Sequence, residues 1–416
     1  MRVLYLSQYF PPEIGATQTR AYEMARGLVE AGHQVTVLTE FPNHPEGIIP
    51  PEYRRKLWER SDLDGIEVLR VWVKASPAKT FRSRMAFYIS YMVMATLAGL
   101  LLARGKYRLI YATSPPLFVG GAALALSFLR RLPMVFEVRD LWPESAVELG
   151  ELRGARAQRL ATWLEERCYQ RARRIVVVTE DFKARLTARG YPPEKLVVIP
   201  NGANTEVFSP RPRDTTLLKE LGIDTDQYVA IFTGLHGLAQ GMDTILEAAQ
   251  LLRSEPGITF LLVGEGPLKP ALVERASKMA MENVVFHGAV REPELPRYLS
   301  LADVGLHAYR RLPILRGALP VKMFSYMASG LPVVLAAEGE AGRLLQTARA
   351  GVVVPPEVPR ALADAVLQMK AAPDLAQRYG RAGLSFVRAN YSRQELARQL
   401  ARTLEKVSSE MPGERP

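Results

Sequence analysis

The chain has 416 residues, nearly half of them hydrophobic, with a formal net charge of +11 and a single cysteine. That length supports two or three domains with real cores, and the composition excludes a disordered chain. Cys168 alone excludes a disulfide framework or a cysteine-based metal cluster and fits a reducing cytoplasm, while the positive charge suits nucleotide phosphates or an acidic lipid surface.

Elements alternate from the start. Val3–Leu6 reads as a short buried strand, and Pro11–Ala16 as a loop opening a helix from about Thr19 to Ala31, which Gly32 ends. Gln34–Leu38 is the next strand. This strand–loop–helix–strand order predicts a parallel, doubly wound sheet, with Gly15 at the strand end where such sheets hold ligands. Strands continue at Ile66–Val73, Leu109–Thr113, Met134–Val138, Ile175–Thr179 and Val197–Ile199. The proline-bearing span Phe208–Thr216 reads as a linker. The pattern then restarts with Val229–Phe232, a glycine loop, a helix from about Asp243, Phe260–Val263, Val284–Phe286 and Val304–Leu306. Ser392–Val407 is an amphipathic helix, and Met411–Pro416 a frayed tail.

Met1–Leu6 has too short an apolar core for a secretory signal. Met85–Ala103 is an uncharged stretch between Arg84 and Arg104, at the lower length limit for a membrane span. Its serine, threonine, glycine and tyrosines favour a buried or membrane-facing helix. Lys74, Lys79, Arg82 and Arg84 before it suit anionic headgroups, so peripheral membrane contact is expected near residues 74–104. No basic run is interleaved with base-stacking aromatics, so no nucleic-acid partner is expected.

Several segments carry chemistry. The stretch Gly317–Leu335 predicts a short helix over Pro320–Ala328, ended by Gly330 and Pro332, and then a buried strand, Val333–Leu335. A helix start after a glycine-bearing loop favours a phosphate, and Lys322 in its first turn is best explained by an anion. Ser325 lies one turn on, on the same face. Gly234-Leu-His-Gly-Leu-Ala-Gln-Gly241 lies between a strand and a helix, where its amides can approach a ligand, and it matches neither a Walker A nor a dinucleotide fingerprint. Gly264-Glu-Gly-Pro267 is a turn of the kind that also lines ligand sites. Arg139-Asp-Leu-Trp-Pro-Glu144 follows a strand, with Asp140 or Glu144 as a proton acceptor. Asp62-Leu-Asp64-Gly65 and Asp224-Thr-Asp226 read as turns, and the five histidines show no ligand spacing, so no metal and no cofactor are expected.

Together these segments resemble the GT-B glycosyltransferases of family four. The resemblance rests on Ala31-Gly-His-Gln-Val-Thr-Val-Leu38, Pro200-Asn-Gly-Ala-Asn-Thr-Glu-Val-Phe208, Leu262-Val-Gly-Glu-Gly-Pro267 and Pro320 through Val334. Within the family, Pro11–Ala16, Val138–Ser145 and Gly237-Leu-Ala-Gln-Gly241 are similar to the branch that adds amino or deoxy sugars such as N-acetylfucosamine in O-antigen, capsule or colanic acid assembly. The resemblance implies two Rossmann-like domains facing a cleft. Residues 1–208 would form the acceptor domain, completed by a helix over 390–410 that crosses back, and residues 209–389 the nucleotide-sugar domain. It implies a metal-independent, retaining transfer from a UDP-sugar to a lipid-linked sugar or polysaccharide acceptor at the cytoplasmic face of the membrane. Donor contacts are expected from Gly15, Gly234, His236, Gly237, Gln240, Gly264, Arg316, Pro320, Val321, Lys322 and Ser325, with Asp140, Glu144 and Lys322 catalytic.

The chain departs from the family pattern at four places. Gly317 and Ser325 stand where two glutamates are usual, Gln240 where a lysine is usual, and Arg139-Asp140 where a His-Asp pair is common. A serine offers a ribose only a short, neutral contact. Two other readings therefore accompany the transferase: a catalytically degenerate scaffold, and a nucleotide-sugar epimerase of the same fold.

Overall fold

The computed structural model describes residues 1–13, 15–44, 46–78, 80–148, 152 and 154–410. Lys79 of the basic run, Ile14 of the first loop and the Met411–Pro416 tail lie outside the described residues. The chain divides into two compact units, Met1–Pro200 with Gln394–Pro416, and Asn201–Arg393.

Unit 1 is an eight-stranded sheet with the order β3-β4-β2-β1-β5-β6-β7-β8. Its strands are β1 (Arg2–Leu6), β2 (Gln34–Glu40), β3 (Trp58–Leu63), β4 (Ile66–Val71), β5 (Leu109–Ser114), β6 (Met134–Val138), β7 (Arg174–Val177) and β8 (Leu196–Val198). All pairings are parallel except β3 with β4. That hairpin was not foreseen at β3, whose residues alternate half-buried and exposed. Its turn is Asp64-Gly65, both at positive φ, and Asp62 Oδ1 accepts from the Gly65 amide at 3.1 Å. The Asp62 carboxylate thus supports a two-residue turn of the primed kind.

Successive side chains of a strand point to opposite faces, which sorts the core. Val3, Tyr5, Val35, Val37, Leu109 and Tyr111 meet Ala21, Met24 and Leu28 of the helix Ala16–Glu30, together with Leu396, Leu400 and Leu404 of the helix Arg393–Ser409. These two helices run close: a Cβ on Gly27 would fall 2.2 Å from that of Ala397. On the opposite face Tyr91, Ala95 and Ala98 of the helix Phe81–Leu101 are buried, and the Tyr91 hydroxyl donates to the Leu38 carbonyl at 2.8 Å.

One buried ion pair ties this unit together. Arg20 donates through Nη2 to Glu137 Oε1 at 2.8 Å and to the Ile199 carbonyl at 2.9 Å, and through Nη1 to the Pro200 carbonyl at 2.8 Å. Burial alone would raise the Glu137 pKa, but Arg20 and then Arg139 hold it below the usual carboxylate value.

Unit 2 is a six-stranded, all-parallel sheet with the order β11-β10-β9-β12-β13-β14. The strands are β9 (Tyr228–Thr233), β10 (Ile258–Val263), β11 (Val284–His287), β12 (Val304–Ala308), β13 (Val333–Ala336) and β14 (Gly351–Val354). One face packs on Met323, Phe324 and Met327 of the helix Val321–Ala328, the other on Ile245, Leu246 and Leu362. The span Phe208–Thr216 is no linker. Phe208 is buried in this core, Asp214 caps the helix Thr215–Glu220 by accepting from the Leu217 amide, and Arg213 pairs with Asp303 at 3.0 Å. Prolines there shape a packed segment rather than a spacer. Together the units are two Rossmann-like α/β folds.

Removing one member of a buried pair strands the other charge, at a cost of about 3–5 kcal/mol. Arg20→Ala and Glu137→Ala should each lower the urea midpoint of unit 1 unfolding accordingly, whereas Arg26→Ala on the same helix, whose nearer ion-pair partner Glu30 is exposed, should change it little. Equal effects would show that the buried pair is not what holds the helix.

Candidate functional site

The carboxyl ends of the unit 2 strands gather the glycine loops. β9 runs into Gly234–Gly241 and β10 into Gly264, and the two loops touch: the Gly234 amide donates to the Val263 carbonyl and the His236 amide to the Glu265 carbonyl, each at 2.9 Å. A Cβ on Gly264, whose φ is +147°, would lie 1.9 Å from the Gly234 carbonyl oxygen, so only glycine permits this approach. Gln240 bridges to Tyr309, and the Arg310 amide donates to the Ala239 carbonyl at 3.1 Å. The loop is thereby fixed to the segment that leads into the helix Val321–Ala328.

That helix begins one residue later than expected. Pro320 precedes it in an extended conformation, Val321 is its first residue and Lys322 its second. The Lys322 Nζ sits 3.8 Å from the centroid of the Phe232 ring, a cation–π contact. It also stands about 3.3 Å from where a Gly234 Cβ would be. Burial lowers its pKa to about 7, with no acidic group opposing. Ser325 is buried one turn on, Gly317 is buried in the turn before, and Arg316 is mostly exposed, 3.3 Å from Glu338.

Beneath Lys322 lies an aromatic floor that the spacing of histidines did not reveal. His307 stacks on Phe232, and Tyr309 meets it edge-on at 4.3 Å. Burial, then Lys269 and Lys322, pushes the His236 pKa down to about 4, and burial with Lys322 holds His307 well below its usual value. The ring nitrogens of both are enclosed and without partners. Both imidazoles are thus held neutral beside the amine. Among the described residues, no group of three or more metal-ligating side chains comes together.

In unit 1, Gly15 precedes the helix Ala16–Glu30 at the end of the β1 loop, and Asp140 follows β6. Glu144 starts a short helix and pairs with Arg185 at 3.0 Å, half-exposed. Sequence reading passed over a second cluster. Glu13 Oε1 accepts from the Asn43 and His44 amides, and Glu40 accepts from Gln8 and Asn43 side chains, all at 2.8 Å. Burial raises both carboxyl pKa values, that of Glu40 well above normal with Glu13 adding to it. A carboxyl held neutral in this way can donate as well as accept.

Two parallel-sheet Rossmann-like units define a GT-B type fold, and the comparisons give its class: the chain is a glycosyltransferase. Residues 15–202 match the family model described as Glycosyl transferase 4-like domain, and residues 227–372 that described as Glycosyl transferases group 1. The chain is 24% identical to the "Putative colanic acid biosynthesis glycosyl transferase WcaI" of Escherichia coli, covering 88% of this chain and 92% of that one. It is 30% identical to the "Probable glycosyltransferase WbjE" of Pseudomonas aeruginosa over 55% of this chain and 58% of the relative. Anabaena Alr3699/HepE, solved in complex with UDP-glucose, superposes with a TM-score of 0.73 at 18% identity, over 98% of this chain and 100% of that one, and shows the shared fold.

The amine carries a test by pH. Its value of about 7 leaves Lys322 mostly neutral at about pH 8, and a diphosphate placed beside it restores the ammonium, so binding takes up a proton. Nucleotide affinity should therefore fall as pH rises above about 7. Calorimetry at about pH 8 in buffers of different ionisation heat should report uptake of most of one proton, absent in Lys322→Met. Proton-neutral binding by the unaltered protein would show that the amine does not meet the phosphates.

Proposed function

We propose that the protein is a metal-independent, retaining transferase that moves a sugar, of the amino or deoxy class, from UDP to a lipid-linked acceptor in cell-surface glycan assembly. The observation that carries it is Lys322: an amine with no acidic partner, at a helix start and against the glycine loops of the second unit. A diphosphate supplies the missing counter-charge, and it gains charge as the glycosidic bond breaks, which is where a fixed cation accelerates the reaction. Gly234, His236, Gly237, Gln240 and Gly264 shape the donor loop, and Ser325 offers the ribose a neutral contact. Arg316 completes the donor set. The acceptor oxygen bonds to the sugar carbon as the carbon–phosphate oxygen bond breaks, and the acceptor's proton passes to the leaving diphosphate. Asp140 or Glu144 orients the acceptor hydroxyl.

The relative named for colanic acid biosynthesis and the UDP-glucose complex of the structural neighbour support the glycan and nucleotide assignments. The helix Phe81–Leu101 supports work at the inner membrane face. It is long and apolar enough to cross a membrane, and Ile89, Val93, Leu97 and Leu101 leave one side of it exposed. With Arg82, Arg84 and Arg104 near its ends, that side suits an anionic lipid surface on which the acceptor is presented.

A thermal-shift panel of UDP, GDP, ADP and CMP tests the donor. A ligand at about 100 times its dissociation constant adds about 2.7 kcal/mol. UDP alone should shift the midpoint, and Lys322→Ala should cut turnover at least about 100-fold while leaving the unliganded midpoint close to its original value. No shift with any nucleotide would favour the scaffold reading. For the membrane face, Val93→Asp with Leu97→Asp should release the protein from phosphatidylglycerol vesicles, and unchanged co-sedimentation would remove the helix from that role.

A further inference from the structure

Beside the donor loop, unit 2 holds a cavity of about 280 Å³ of which the nucleotide reading uses only Arg316. It opens where the chain leaves β12 and is lined by Arg310, Arg311 and Arg316, with Leu312, Leu315 and Pro356 as apolar walls. Three guanidiniums share two carboxylates. Arg311 and Arg316 approach opposite oxygens of Glu338 through Nε, at 3.6 and 3.3 Å, and Arg310 reaches Glu357 only at 3.9 Å. None of these contacts has the short, forked geometry that arginine adopts with a matched carboxylate. The Arg311 backbone is nonetheless held, its amide donating to Glu357 Oε1 at 3.1 Å and its Nη2 to the Pro356 carbonyl at 3.2 Å. Arg310 is fixed in turn by its amide on Ala239, within the loop that faces Lys322.

The cavity is smaller than a pocket for a drug-sized ligand, which runs from about 300 to 1,000 Å³, and its volume suits a single sugar ring. It lies on the same loop-to-helix segment as Lys322 but is lined by separate cations. Resting on the transferase reading, we propose that this cavity receives the donor sugar and that the sugar bears a carboxylate, as in an aminohexuronate, bound by Arg310 and Arg311. Leu312, Leu315 and Pro356 offer the ring an apolar face. The surplus of one positive charge over Glu338 and Glu357 is then neutralised by the ligand, whereas a neutral sugar would leave it unmatched and gain nothing from the guanidiniums.

Calorimetry with UDP, UDP-glucose, UDP-N-acetylglucosamine and UDP-glucuronate tests this. The unaltered protein should bind UDP-glucuronate at least about tenfold more tightly than either neutral sugar nucleotide. Arg310→Gln with Arg311→Gln should bring that ratio to within about twofold while affinity for UDP itself stays within about twofold, and the two lysine replacements should restore part of the preference. Equal affinity for the charged and neutral sugars in the unaltered protein, or a preference that survives the glutamine pair, overturns the proposal. Ligand-observed NMR with glucuronic acid 1-phosphate against glucose 1-phosphate asks the same question without a nucleotide. A failure of UDP to bind would count against the nucleotide assignment, and the sugar phosphates would still decide the cavity: a preference for the uronate supports it, and none refutes it.

Discussion

Parallel strand pairing is the constraint from which the rest of the molecule follows. A parallel neighbour cannot be reached by a tight turn, so each strand with a parallel successor must be followed by a crossover, and helices come to cover both faces. All loops leaving the carboxyl ends then collect along one edge of each sheet. In unit 2 that edge brings Gly234, Gly264 and Lys322 together although they are far apart in the chain. The same burial on two faces explains why strands such as β9 and β10 consist almost wholly of apolar residues.

This is also why the fold was largely legible. Strands buried on both sides leave uninterrupted apolar runs, and these gave β1, β2, β5, β6, β9, β10 and β13 to within a residue or two. The edge strand β3 escaped because its Glu59, Arg60, Ser61 and Asp62 carry no such run. The error over Phe208–Thr216 has a related origin: prolines signal a break in regular structure, but not whether the irregular segment is packed. A single large apolar side chain, Phe208, decided that.

At the site, legibility followed locality. Lys322 was visible because a cation in the first turn of a helix is a local anomaly. His307, by contrast, sits in an apolar strand, and nothing near it in sequence shows that Phe232 of another strand will stack on it. Arg20 with Glu137, and Glu13 with Glu40, are likewise products of tertiary contact. Charged residues inside strand and helix patterns were read past, because their partners lie on other elements. The physical cost of burying them is what marks them out once the fold is known.

The two-unit division has a consequence for how the chain is made. The first unit's core includes Leu396, Leu400 and Leu404, supplied only after the whole of Asn201–Arg393 has been synthesised. At bacterial or eukaryotic elongation rates that interval is roughly 10–40 s, and at its end the second unit is fully synthesised. Until then the flank of Ala16–Glu30 that carries Gly27 is an open apolar seam on a nascent chain. The order of closure is thus the reverse of the order of synthesis: the unit made second can close first, and the one begun earlier must wait for the helix Arg393–Ser409.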